Sequence, residues 1–176
     1  MIIICLVMII SFLMKFDNLL KILSIIFIFF VACTTNHKIN TADSCIIFDK
    51  KKNWYKSTKK SYDKWGTSIA LQLAIINQES SFIQFAKPKR KKIFGILPGS
   101  RPSSAFGFAQ VTTPTWDWYK NKTGNKNASR ANFSDVTDFI GWYTTQSKNI
   151  IGISKQDYYN QYLAYHEGQG GWKKKT

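Results

Sequence analysis

Carboxylates are scarce in this chain: 10 Asp and Glu stand against 25 Lys and Arg in 176 residues, a net charge of +15. Only two of the acids are glutamates, Glu79 and Glu167. Four prolines and ten glycines are too few for a collagen-like or low-complexity chain. Three cysteines cannot supply a disulfide framework. His37 and His166, the two histidines, and Cys45 show no zinc-type ligand spacing, so no metal is expected. No cofactor is expected either, because no phosphate-binding glycine loop opens a helix. What the chain has instead is 44% hydrophobic and 15% aromatic residues, which excludes a disordered polyelectrolyte and fits one domain at this length.

Residues 1–32 read as an address. Their only charges are Lys15, Asp17 and Lys21, and the run Ile22–Ala32 has the length of a signal-peptide apolar region, short of the roughly 20 residues of a full span. The run ends in Phe30-Val31-Ala32-Cys33. A small residue before a cysteine there resembles a bacterial lipobox, with Phe30 where leucine is usual, and makes Cys33 the expected lipidation site. Met14-Lys15 with Lys21 reads as a complete signal by itself, so residues 1–13 are an upstream extension or part of a longer span. The alternative is an uncleaved membrane anchor. Both place the remaining chain outside the cytoplasm, in the cell envelope, and a lipid would anchor it to a membrane without spanning it. Removing Lys15, Lys21 and Asp17 with the leader leaves +14 on residues 33–176.

Residues 33–50 are expected to tether the anchor to a domain at 51–176. Cys45, followed by Ile46-Ile47-Phe48, reads as a buried apolar residue. Trp54, Tyr55, Thr58, Tyr62 and Trp65 share one helical face, and Gly66 punctuates. Thr67 or Ser68 caps a helix through Ile69, Leu73 and Ile76 to Glu79, apolar nearly all round. Residues 84–103 read as a basic loop. Thr113-Pro114 opens a short helix, Asp135–Ile150 forms a long one, and Ser154–Asp157 opens another that ends at Gly168. The reading is all-α, five or six helices, with no strand alternation.

Three segments carry candidate chemistry. The first, Ile75-Ile76-Asn77-Gln78-Glu79-Ser80, sets a carboxyl at the end of an apolar helix. Desolvation and the helix dipole both raise its pKa, as a general acid at neutral pH requires. The bland alternative is a glutamate facing water. The second, Ser103–Pro114, surrounds Gly107 and Gln110 with small residues, which suits either close backbone approach to a ligand or an ordinary turn. The third, Tyr162-Leu163-Ala164-Tyr165-His166-Glu167-Gly168, joins a phenol, an imidazole and a carboxyl.

Taken together, Glu-Ser after an apolar helix, Gly-x-x-Gln-x-x-x-x-Thr, and Ala-Tyr-x-x-Gly resemble the catalytic domain of soluble lytic transglycosylases over residues 54–172. The resemblance implies a goose-type lysozyme-like all-α fold and a peptidoglycan substrate. It also makes Glu79 the catalytic acid/base, with Ser80 supporting the site, Gly107 and Gln110 lining the sugar groove, and Tyr165 bonding near the carboxyl. His166 stands where the family usually has Asn, as a candidate substrate contact, and Glu167 replaces a small residue.

The family chemistry implies one glutamate cleaving between N-acetylmuramic acid and N-acetylglucosamine to leave a 1,6-anhydro end. Glu167 as a second carboxylate would make a water-using muramidase. Family domains continue into a further helix after the Ala-Tyr-x-x-Gly turn, whereas this sequence runs only to Thr176. That shortness leaves a non-catalytic peptidoglycan-binding lipoprotein as the other alternative. Trp116, Trp118, Tyr119 and Trp172 are candidates to stack on sugars or to fill the core. The run Lys87–Lys92 could steer an anionic polymer. Nucleic acid is not expected as a partner, given the exported address and the lack of a recognised motif. The domain is expected to act as a monomer.

Overall fold

The computed structural model describes residues 43–175, so the leader, the lipobox and Cys33 lie outside the described residues. Seven helices occur among them: α1 (Ser44–Lys50), α2 (Lys52–Trp65), α3 (Ile69–Ser80), α4 (Thr113–Thr123), α5 (Phe133–Ile151), α6 (Tyr158–Glu167) and α7 (Gln169–Lys175). The expected all-α class holds.

The long helix α5 is the spine. Val136, Phe139, Ile140, Trp142 and Tyr143 bury most of its circumference. Helix α2 lies against it along a seam of small residues. A Cβ on Gly141 would come within 2.6 Å of Ser61 Oγ and 2.5 Å of Trp65 Cδ1, so only glycine permits this approach. The Ser61 hydroxyl donates to the Thr137 carbonyl at 2.6 Å, and Thr67 and Thr144 share a hydroxyl hydrogen bond of 2.6 Å. The apolar face expected for α2 is therefore shifted: Thr58 and Ser61 are buried while Tyr55 and Tyr62 are exposed. On the other side of α5, Trp116 and Tyr119 of α4 pack against Phe139, with centroids at 5.3 and 5.4 Å.

Caps explain the boundaries. Ser68 accepts from Leu71 N–H at 3.2 Å, Asn132 from Ser134 and Asp135 N–H, and Asp157 from Asn160 N–H at 3.1 Å. Three starts move slightly, the long helix α5 beginning at Phe133 where Asp135 was the expected start. Helix α4 begins at Thr113 with Thr112 as its cap. Helix α6 begins at Tyr158, and the Ser154 hydroxyl donates to the Gln156 side chain instead of capping.

Three regions depart from the sequence reading. Residues 44–50, assigned to the tether, form α1, which packs on α2 through buried Ile47. Cys45 on that helix is exposed, because Ile47 takes the inward position two residues later. The basic loop contains a two-stranded hairpin, β1 (Lys92–Ile93) antiparallel to β2 (Leu97–Pro98), turning through Phe94 and Gly95 in the left-handed region. Past Gly168, where a glycine-rich turn was expected, α7 continues and packs on α5 and α6.

Candidate active site

Helix α3 is fixed by Leu71, Leu73, Ile75 and Ile76, all buried, and Glu79 projects from its last turn. The chain then leaves sharply: Ser81 and Phe82 both adopt left-handed backbone, φ 50° and 62°. Such conformations are costly for residues with side chains and persist only where packing enforces them. Here Phe82 is buried and stacks on Trp54 at 5.7 Å, and the Ser81 N–H donates to the Asn77 carbonyl at 2.8 Å.

The segment after Ala105 is a tight turn. Phe106 N–H donates to the Val111 carbonyl, and Gln110, at φ 46°, closes the turn through its N–H to Gly107. A Cβ on Gly107, at φ 80°, would overlap the Arg130 carbonyl oxygen and lie 2.7 Å from its carbon. Arg130 also grips the turn with its guanidinium, donating to the Ser104 carbonyl at 2.9 Å and the Val111 carbonyl at 2.7 Å. Two hydroxyls hold the turn from within. Ser80 donates to the Phe108 carbonyl at 2.6 Å, and Tyr165 to the next carbonyl, Ala109, at 2.7 Å. Consecutive peptide groups thereby tie the end of α3 to α6.

These elements enclose a cleft of about 270 Å³. Glu79, Gln110, Tyr165, His166 and Glu167 line it, with Thr112 and Thr115 on one side and Phe139 and Tyr143 of the spine beneath. The Glu79 side chain is only 15% exposed. Among the described residues its Oε1 is buried without a hydrogen-bond partner, since His166 Nδ1 approaches no closer than 3.6 Å. Burial pushes the Glu79 carboxyl above its ordinary value, and the neighbouring imidazole opposes that only in part. Burial, reinforced by the nearby Glu79 charge, also drives the Tyr165 phenol well above its usual range, so it stays a donor.

The residues singled out in the sequence separate into two groups. Glu79, Gln110, Tyr165 and His166 meet at the cleft. Gly107 and Ser80 do not line it. Gly107 is buried against Arg130, and Ser80 is spent on the Phe108 carbonyl. Gln110 faces the cleft, but its amide nitrogen is committed to the Ala86 and Gly107 carbonyls, both at 2.9 Å. Tyr165 bonds the backbone at Ala109, not the Glu79 carboxyl. Among the aromatic candidates, Trp116 and Tyr119 belong to the core, Trp118 sits edge-on to Trp142 at 4.5 Å, and Trp172 donates to Asn160 at 3.1 Å. Sequence reasoning missed Arg130, Phe139 and Tyr143. The last two fall one turn apart on α5, where core and cleft floor give the same apolar signal.

A helical domain in which one desolvated carboxyl, at the end of an apolar helix, faces an open cleft has the form of a lysozyme-like, glycan-cleaving protein. The family model described as the transglycosylase SLT domain matches residues 21–176, and the chain belongs to that family. Membership brings peptidoglycan as the substrate class and lytic-transglycosylase-type activity in general terms. No curated protein matches the chain, and no solved structure does.

Proposed function

We propose that the protein cleaves the β-1,4 bond between N-acetylmuramic acid and N-acetylglucosamine and leaves a 1,6-anhydro end, with Glu79 as the single acid/base. One observation carries this reading: the Glu79 carboxyl is desolvated, lacks a hydrogen-bond partner at Oε1 and lines a cleft. A carboxyl in that state remains protonated at higher pH than usual and gives its proton readily to an oxygen that replaces water beside it.

Glu79 donates its proton to the bridging oxygen as the bond to the muramic anomeric carbon breaks. The 2-acetamido carbonyl oxygen of the same sugar shares the developing positive charge, so no enzymic nucleophile is needed. The Glu79 carboxylate then takes the proton of the sugar's own 6-hydroxyl while that oxygen bonds the anomeric carbon and displaces the acetamido oxygen. The carboxyl is regenerated and no water is consumed. An intramolecular hydroxyl held in place competes well with solvent. Gln110 and Tyr165 act by fixing the turn and helix around the cleft, and His166 is a polar group of the cleft 3.6 Å from the acid, 58% exposed.

Glu167 lining the same cleft favours a second reading, a muramidase in which that carboxyl activates water. Purified full-length protein incubated with sacculi separates the two. Anhydro-ended muropeptides from the wild type and none from Glu79→Gln support the transglycosylase. Reducing ends would make it a hydrolase, and sacculus binding without cleavage a binding protein. For location, we propose an envelope protein anchored through a lipid on Cys33. Cys33→Ala should abolish labelling by a fatty-acid probe, and persistent labelling would refute the lipobox.

A further inference from the structure

Away from the cleft, the molecule displays a feature that glycan cleavage does not use. Between Glu79 and Asp117 the chain has six cations, Lys87, Lys89, Arg90, Lys91, Lys92 and Arg101, and no carboxylate. The β1–β2 hairpin rises from the middle of this segment. At its tip Phe94 is 92% exposed and Ile96 86%, with Ile93 and Leu97 about half exposed beside them. Phe94 holds this outward position in the left-handed region, φ 51°, which a phenylalanine rarely adopts. The hairpin is nevertheless a built structure: Gly99 N–H donates to the Lys91 carbonyl at 2.7 Å, and a Cβ on Gly99 would press on Ile93 at 2.9 Å.

The cations beside the tip are not neutralised. None of the six joins an ion pair among the described residues. Arg90 and Arg101 donate to the segment's own carbonyls, Gly99 and Pro88, and Lys87 lies over the Phe106 ring at 5.4 Å.

We propose that this hairpin docks the domain on an anionic phospholipid surface, with Phe94 and Ile96 entering the acyl boundary and the lysines meeting headgroups. The charge pattern selects this occupant. A convex apolar tip with unpaired cations around it complements a surface that is hydrocarbon beneath and negative on top. A glycan strand presents hydroxyls and has no apolar depth for the tip. A nucleic acid would take the cations but leave Phe94 and Ile96 in water. The contact is additional to any lipid on Cys33 and independent of whether the cleft cleaves peptidoglycan.

The test uses the full chain with Phe94→4-cyanophenylalanine, whose nitrile stretch reports water or hydrocarbon at that one position. Depth at the tip, not binding of the whole chain, is thus the readout. In vesicles of phosphatidylcholine with phosphatidylglycerol the nitrile should become dehydrated; with phosphatidylcholine alone it should stay water-like. Adding Lys89→Gln, Lys91→Gln and Lys92→Gln should raise the lipid concentration for half-dehydration on the order of 10²-fold, about five-fold per cation. A nitrile that stays water-like while the protein sediments with anionic vesicles overturns the proposal. So does equal dehydration in both lipids. Dehydration by sacculi but not by vesicles would assign the hairpin to the wall polymer instead.

Discussion

Two carboxyls in this molecule are buried to nearly the same depth and are treated in opposite ways. Glu79 is 15% exposed and Asp138 19%. Asp138, on α5, collects Lys64 Nζ at 2.8 Å, Trp65 Nε1 at 2.9 Å, the Tyr119 hydroxyl at 2.7 Å and Asn125 Nδ2 at 3.4 Å. Those donors outweigh burial and hold its carboxyl below the ordinary range. Among the described residues Glu79 has only an imidazole at 3.6 Å, and burial wins. The fold can satisfy a desolvated acid, and at Asp138 it does. Leaving Glu79 unsatisfied is the arrangement that keeps a proton available.

The largest consequence concerns turnover. Glu79→Gln keeps size and shape but removes the transferable proton, and should lower anhydro-muropeptide formation by about 10²- to 10⁴-fold, the range of general acid catalysis. Asp138→Asn makes the same carboxyl-to-amide change at a similar depth and should leave the specific activity of the folded fraction unchanged. A comparable loss in both variants would erase the functional difference between the two acids.

Stability should divide the same pair in the reverse sense. Asp138→Asn sets an amide against donors and should cost about 1–3 kcal/mol near neutral pH. A carboxyl whose value is depressed by folding stabilises above its unfolded value, ordinarily 3.8, and that stabilisation is lost as pH falls through the folded value. The deficit of Asp138→Asn should therefore shrink in acid. Glu79 has the other sign. Below its ordinary 4.5 both states are protonated and nothing is lost, whereas ionisation penalises the folded form as pH rises through the elevated value. Glu79→Gln should melt above the wild type at neutral pH, by about 2–4 °C per kcal/mol relieved, and coincide with it in acid. Melting curves across pH test both signs, and parallel behaviour of the two variants would contradict them.

The contrast was half visible in the sequence. Glu79 was legible because an acid closing the run from Ile69 to Ile76 is incongruous, and the long helices were legible from their spacing and caps. Asp138 was not, since its partners come from α2, α4 and the residues after α4, which only the fold assembles. The roles of Gly107 and Gln110 were likewise hidden: the close approach of the Arg130 backbone, 23 residues downstream, decides the first, and the Ala86 carbonyl, 24 residues upstream, takes the amide of the second. Helix α1 has one buried side chain and α7 opens with Gln169-Gly170-Gly171, so neither has a periodic signature. Helix α7 instead draws on tertiary contacts, Trp172 on Asn160 and Gln169 on the Ser147 hydroxyl at 3.3 Å.

His166 offers the smallest and most specific way to sharpen the comparison. Among the described residues it is the one group whose influence lowers the Glu79 value, against the dominant effect of burial. If Glu79 acts as an acid, activity on the alkaline side falls as that carboxyl ionises. His166→Gln removes the opposing influence and should move this limb of the kcat/KM profile to higher pH, with a change in maximal rate much smaller than that of Glu79→Gln. A substitution that merely disturbed sugar contacts would raise KM and leave the limb in place. A limb displaced towards acid would mean that the imidazole supports the neutral carboxyl, the reverse of what the 3.6 Å geometry implies. The histidine would then resemble the donors around Asp138 in position but not in effect.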